Sequence, residues 1–384
     1  MILCLDLETS THNKGNPFDT RNFIVSAHLK RNEEPVACHF FDEPDFKTSI
    51  RDAVSDASLL VGVNLKFDLS HCRRLGIEPT HGCRVWDCML AEFILSGQTN
   101  PFASLDQLAE KYGLGAKSTA VSDYWDKGIS TEDIPRDVVR EYGNLDVELS
   151  HRVYLAQQSD PRMSPELHKL ILLDGLDLLV LLDMECNGFK YDVVGSKSKA
   201  ESLERELHGI DEELFSYSPT RFNLDSGDWL SCFLYGGTIT EDIFAPVNKI
   251  YKSGPNKGEQ YIRNEYSHTL KHVFGGFFKP LKGSELKKEG FYSTAEDVLL
   301  QLKTKTKEQR RIVALLNRRS VISKLRGTYL VALPALIELM HWADSTIHGQ
   351  FNQVVARTGR LSSSRPNMQN APEEVDEFFV SRFN

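Results

Sequence analysis

Over the first 155 residues the hydrophobic pattern switches repeatedly between short apolar runs and helical periods. Ile2–Leu7 is a compact apolar run, and Phe23–Leu29 and Val36–Phe41 have the same character, so each predicts a strand. The run Ser58–Val63 (SLLVGV) leans towards β structure and ends at Asn64. Helical patterns cover Ile50–Ala57, Asp68–Leu75 up to Gly76, Cys88–Leu95 and Val138–Gln157. Asp87 is placed to cap the helix that opens at Cys88, and Ser104 with Gln107 has capping-box spacing. This alternation predicts a mixed α/β domain.

The segment QQSDPRMSPE (157–166), with Pro161 and Pro165 among polar neighbours, reads as a domain boundary. A long apolar helix follows from Pro165 to Cys186 and is closed by Asn187-Gly188, a C-cap signal. Ser196–Phe215 predicts a second, charge-laced helix. The pattern changes across 236–291, which is rich in Gly, Lys, Tyr and Phe and predicts hairpins or a flexible loop. Helical periodicity resumes over Ala295–Leu302, Glu308–Arg326 and Val331–Trp342, and no internal repeat stands out.

Composition narrows the class. A hydrophobic share of 41% beside 26% charged residues is ordinary for a globular protein, and 384 residues predict two or three domains. No run of about 18 apolar residues occurs, so no membrane contact is expected. The opening MILCLDLETS reads as a buried strand rather than a signal peptide. Seven cysteines without a CxxC pair argue against a disulfide framework or a zinc site, and a cytoplasmic setting is expected, the host cytoplasm if the protein is viral. A net charge of −9 argues against nucleic-acid binding by bulk charge, but it suits a protein that gathers carboxylates to hold cations.

Three acidic elements carry candidate chemistry. Asp6 and Glu8 lie two apart on a predicted strand, so both project from one face. Paired carboxylates repel unless neutralised, and a hard divalent cation with oxygen ligands, Mg²⁺ or Mn²⁺, is the natural counter-charge. NLKFD (Asn64–Asp68) follows an apolar run and sets Asp68 where a strand meets a helix. In YGNLD, Tyr142 and Asp146 are four apart and share a helix face. Each element alone is weak, but the ordered set is specific.

The set Asp6, Glu8, Asp68, Tyr142 and Asp146 resembles the tyrosine-containing class of the DnaQ-like, or DEDD, exonuclease superfamily. The resemblance covers nearly all of residues 1–155. It implies a ribonuclease H-like fold with a mixed sheet and two metal ions. Asp6 is then expected to bridge the metals, with Glu8 and Asp146 completing the site that activates water. Asp68 would support the second metal, directly or through water. Tyr142 would orient the attacking water, since a neutral phenol is a poor base near pH 7. Thr9, Asn64 and Phe67 are the residues expected to hold the 3′-terminal nucleotide, Phe67 by packing or stacking.

The second half carries its own signal. TGRLSSSRPNMQNAP (358–372) resembles the segment of family A DNA polymerases that precedes the first catalytic palm motif and grips the primer–template minor groove. That likeness assigns DNA contacts to Arg360, Asn367, Gln369 and Asn370. MECNGFKYD (184–192), FNLDSGDWL (222–230) and KLRGTYL (324–330) resemble further family segments, the last a thumb-tip element that includes Lys324. The cluster Lys303, Lys305, Lys307, Arg310, Arg311, Arg318 and Arg319 is expected to meet duplex phosphates. The insertion at 236–291 leans towards phage-type members.

The expected organisation is therefore an exonuclease domain over 1–158 and a mainly helical thumb region over 159–345 with a β-rich insertion. The start of a polymerase palm is expected over 346–384. The palm aspartate, the fingers helix and the HDE-type motif are not in the sequence, so this chain alone is not expected to polymerise DNA. The expected function is proofreading, on a single-stranded or frayed 3′ end and on primer–template duplex, beside a palm and fingers polymerase subunit. A freestanding nuclease acting on RNA and a non-catalytic DNA-binding scaffold are the competing readings.

Overall fold

The computed structural model describes residues 1–381 and divides into two compact units. The first comprises Met1–Ser196 with Val331–Asn384 and the second Lys197–Leu330. These cuts differ from the divisions drawn at 158 and 345. The last three residues of the segment read as a palm start, 382–384, lie outside the described residues.

The first unit is built on a five-stranded mixed sheet in the order β3-β2-β1-β4-β5. Its strands are β1 (Ile2–Thr9), β2 (Ile24–Arg31), β3 (Ala37–Phe40), β4 (Leu59–Gly62) and β5 (Arg84–Asp87). The central β1 runs antiparallel to β2 and parallel to β4. Side chains alternate along β1. Leu3, Leu5 and Leu7 enter a core with Ile50, Leu65, Leu69 and Phe93, whereas Cys4 packs on the opposite face with Val61, Trp86, Leu108 and Val147. Asp6 and Glu8 continue the Cys4 face.

Helices cover both faces. They are α1 (Phe46–Asp56), α2 (Leu65–Arg74), α3 (Cys88–Leu95), α4 (Leu105–Lys111), α5 (Ser122–Trp125), α6 (Arg136–Gln158) and α7 (Pro165–Asn187). The capping box at Ser104 and Gln107 forms as its spacing predicts. Asp87 caps α3 by accepting from the Met89 and Leu90 amides, and the same carboxylate accepts from Leu65 and Asn64 at the start of α2. One acid thus fixes two helix starts. α7 lies directly on β5, because Gly175 has no side chain and an added Cβ would come 2.2 Å from the Val85 carbonyl oxygen. That packing explains why a helix read as lying beyond a boundary belongs to the first unit.

The later part of the first unit is built from short strands. β6 (Phe189–Lys190) pairs with β9 (Thr346–Ile347), and β10 (Gln350–Asn352) with β11 (Ser362–Ser364). Lys66 on α2 pairs with the buried Glu185 on α7, and Glu185 also accepts the Phe351 amide at 2.6 Å. This contact ties β10 to the helix that carries Asp68.

The second unit holds most of α8 (Val193–Ser216), together with α9 (Gly227–Tyr235), α10 (Glu296–Leu299) and α11 (Lys307–Lys324). The insertion is a long hairpin of β7 (Gly237–Ile250) and β8 (Gln260–Phe274), anchored where Phe222 and Trp229 meet Phe274. A π-helical turn, Leu325–Val331, leads on to α12 (Ala332–Leu339). The whole run Lys307–Leu339 is long and apolar enough, by length and composition alone, to cross a membrane. Its Ile312, Leu315, Leu316, Ile322, Leu330 and Leu333 are buried within the protein, as in a core helix.

The basic cluster read on α11 is partly neutralised. Arg311 forms a two-pronged pair with Glu213, Arg318 does so with Glu206, and Arg319 bonds Asp211 and Asp225. The sequence placed one acid, Glu308, among these cations, but their partners come from α8 and from Asp225, about 100 residues earlier in the chain. Lys303, Lys305, Lys307 and Arg310 of the same cluster form no ion pair among the described residues.

Candidate metal centre

Asp6, Glu8 and Asp146 come together above the middle of the sheet. One carboxylate oxygen from each lies within 4.8 Å of the others. β1 delivers the first two from one face, and α6 delivers Asp146 with Tyr142 one turn earlier. The close approach of α6 depends on Gly143, where an added Cβ would come 2.3 Å from the His28 ring. His28 stands opposite Asp6 on β2, fully buried, and hydrogen-bonds Ser26 at 3.0 Å and Asn144 at 2.9 Å. Sheet and helix are thus fitted to one another beside the acids.

Asp68 stands outside this triad but beside it. Its Oδ1 accepts the Leu7 amide at 3.0 Å, between Asp6 and Glu8 on β1. Its carboxylate is thus held by the β1 backbone.

The electrostatics follow from burial. Asp6 is pushed up to about 7 by desolvation and then by the charge of Asp146. Glu8 and Asp68 are pushed well above the ordinary carboxylate range by burial and by Asp6. Burial also raises Tyr142, and the charges of Glu8 and Asp146 raise it further, so it is a neutral phenol at physiological pH. Asp146 Oδ1 is buried without a hydrogen-bond partner. An all-oxygen donor set, like charges crowded together and an orphaned carboxylate oxygen fit a hard divalent cation.

Lys117 also lies at this site. It sits in the coil between α4 and α5, and its Nζ is 2.5 Å from Asp146 Oδ2 and 4.6 Å from the centre of the Tyr142 ring. A lone lysine in the stretch GLGAKSTA carries no periodic or motif signal, so sequence reasoning missed it. Gly143 was passed over for the same reason, since its meaning lies in the distant His28.

The residues expected to hold a nucleotide fall in two places within this unit. Thr9 ends β1 and is buried. Asn64 is exposed in the left-handed conformation ahead of α2, and Phe67 is half-buried with its ring edge on His71. Asn64 and Phe67 line a cavity of about 330 Å³ with Phe18, Phe102, Lys66 and Asn352. Arg360, Asn367, Gln369 and Asn370 are all exposed around β11. Lys324 belongs to the second unit and is exposed at the end of α11.

Residues 265–382 match the family model for DNA polymerase family A. The chain is 30% identical to DNA polymerase I of Synechocystis sp. over 315 residues, which is 82% of the chain. It is 27% identical to DNA polymerase I of Bacillus subtilis over 298 residues, 76% of the chain. It spans 27% of the length of each. Its fold resembles the POL domain of Pol1 from M. smegmatis, solved in complex with DNA primer-template and dNTP. That match has a TM-score of 0.65 at 17% identity and covers 98% of this chain and 55% of that one. Residues 265–382 are thus similar to a family A DNA polymerase region, in a chain similar to DNA polymerase I along most of its length.

Proposed function

We propose that the first unit is a metal-dependent 3′→5′ exonuclease of the ribonuclease H-like, tyrosine-containing class, and that it edits DNA for a family A polymerase. The observation that carries the reading is the triad of Asp6, Glu8 and Asp146, whose carboxylate oxygens lie within 4.8 Å of one another. A purely structural cluster would pair each acid with a base or expose it, whereas here three acids share the ammonium of Lys117.

Asp6, Glu8 and Asp146 would hold one cation, and Asp6 with Asp68 a second. Such cations, either Mg²⁺ or Mn²⁺, supply an acidified water and a Lewis acid for the leaving oxygen. The protein's own groups do the rest. Tyr142, held neutral, donates a hydrogen bond that orients the attacking water. The Leu7 amide fixes the rotamer of Asp68. The cavity beside Asn64 and Phe67 offers an aromatic wall to a terminal base.

In this reading Arg360, Asn367, Gln369 and Asn370 contact primer–template duplex, with Lys324 and the remaining cations of α11 on its phosphates. The similarity to DNA polymerase I and the primer-template bound to the M. smegmatis neighbour support DNA as the substrate. Nucleotide addition would fall to the palm carboxylates and fingers of a polymerase partner.

The purified chain should shorten 3′-labelled single-stranded DNA in Mg²⁺ or Mn²⁺ and act more weakly on a matched RNA strand. Asp6→Ala should lower the rate by orders of magnitude. A near-parental rate in that variant would refute the assignment, and a preference for RNA would favour a freestanding RNA-trimming enzyme.

A further inference from the structure

Among the described residues one cationic side chain reaches into the carboxylate cluster, and that cation is tethered to the chain. Lys117 lies 2.5 Å from Asp146 and over the face of Tyr142. Its charge also bears on Asp6 and Glu8, lowering the pKa of each against the opposing effect of burial. One ammonium therefore partly neutralises three acids and contacts the phenol. Its support is not a helix or strand. Lys117 rides a coil between Lys111, the last residue of α4, and Ser122, the first of α5. That coil contains Gly113 and Gly115, both at positive φ (65° and 112°), with open space where each Cβ would stand. Glycines so placed let the coil change path at little steric cost.

Resting on the metal-dependent reading above, we propose that Lys117 is a built-in counter-ion which takes the place of a cation at Asp146 and must withdraw before the metal set is complete. Asp146 offers two oxygens. Oδ2 is occupied by Lys117, while Oδ1 is buried without a partner. A divalent ion sharing Asp6, Glu8 and Asp146 brings two positive charges to a space already holding one. An opposite charge within about 4–6 Å of a carboxylate shifts its pKa by one to three units, and a second cation at acids so neutralised meets a penalty of that order. Withdrawal of the coil would release the ammonium towards incoming phosphate, so that loading of metal and arrival of substrate favour the same rearrangement.

The test is manganese(II) binding to the full chain without nucleic acid, followed by electron paramagnetic resonance. Lys117→Met keeps the length and removes the charge, and should bind manganese roughly tenfold more tightly than the parent. Lys117→Arg keeps the charge and should stay within about twofold of the parent. In EDTA, Lys117→Met should melt below the parent and recover when manganese is added. Equal or weaker manganese binding by a folded Lys117→Met would overturn the proposal; if Met does not fold, Lys117→Gln decides by the same criterion. Binding by the parent that Asp6→Ala abolishes keeps the metal-centre reading standing even if Lys117→Met shows no gain. No binding by any variant would remove both.

Discussion

The two units treat charge in opposite ways. On α8 and α11 of the second unit, Glu206, Glu213, Arg311 and Arg318 pair opposite charges in solvent-accessible positions. In the first unit, Glu8, Asp68 and Asp146 are buried, with Asp6 half-buried among them, and Lys117 is their close cation. Exposed ion pairs contribute about 0–1 kcal/mol each and serve the fold. Buried like charges cost stability and persist where a ligand offsets the cost. The contrast sets an acid cluster that fits a ligand apart from ion pairs that serve the fold.

The largest expected effect tests the buried side of that contrast. Glu8→Ala and Asp146→Ala should each lower 3′-end hydrolysis by about a hundredfold or more, without loss of secondary structure by circular dichroism. Loss of fold with loss of rate would make these acids structural after all.

Next comes the fit of α6 to the sheet. Gly143→Ala drives a Cβ into the His28 ring and should cost about 1–3 kcal/mol in urea unfolding, with a parallel loss of activity as Asp146 shifts. Parental stability would show that α6 has room to move.

A gain of stability is expected from removing a charge. The pKa of Asp6 is higher in the folded protein, about 7, than in the unfolded chain, at an ordinary 3.8. The folded state therefore holds the proton more tightly, and this contribution, complete below about pH 4, is lost as pH rises through about 7. In EDTA, Asp6→Asn should raise Tm by about 2–4 °C at pH 8 and by little at pH 4. An unchanged Tm at pH 8 would mean that the acids are already well compensated.

The smallest effect belongs to the paired surface. Arg318→Ala should change unfolding free energy by less than about 1 kcal/mol. It should also weaken duplex binding less than Lys305→Ala, because Glu206 already neutralises Arg318. The reverse order in a salt-dependent binding titration would restore the larger basic face expected from the sequence.

Features set by local rules were legible in the sequence. Strands at Ile2, Phe23, Val36 and Ser58 follow from apolar runs, and the caps at Asp87 and Ser104 from side chains that bond amides two or three residues away. β5 at Arg84–Asp87 was not foreseen, since RVWD, charged at both ends, shows no apolar run. The triad was legible because a two-residue step on a strand and a four-residue step on a helix each fix a face. Its neighbours were not. The second cap made by Asp87, the seat of Gly143 on His28, the Lys117 pair and the arginine partners on α8 all join residues far apart in the chain. No local period records such pairings. The π-helical turn at Leu325–Val331 bridges the two helical stretches read at Glu308–Arg326 and Val331–Trp342, and no local period marks it.

The central claim is that Asp6, Glu8, Asp68 and Asp146 form an editing site with a fixed polarity. The direct measurement follows a single-stranded DNA labelled at its 5′ end during digestion by the purified chain with Mg²⁺ or Mn²⁺. The account predicts a ladder that shortens one nucleotide at a time from the 3′ end, absent in EDTA and in Asp6→Ala. Release of the labelled 5′ nucleotide first, or an unchanged ladder in Asp6→Ala, would contradict it.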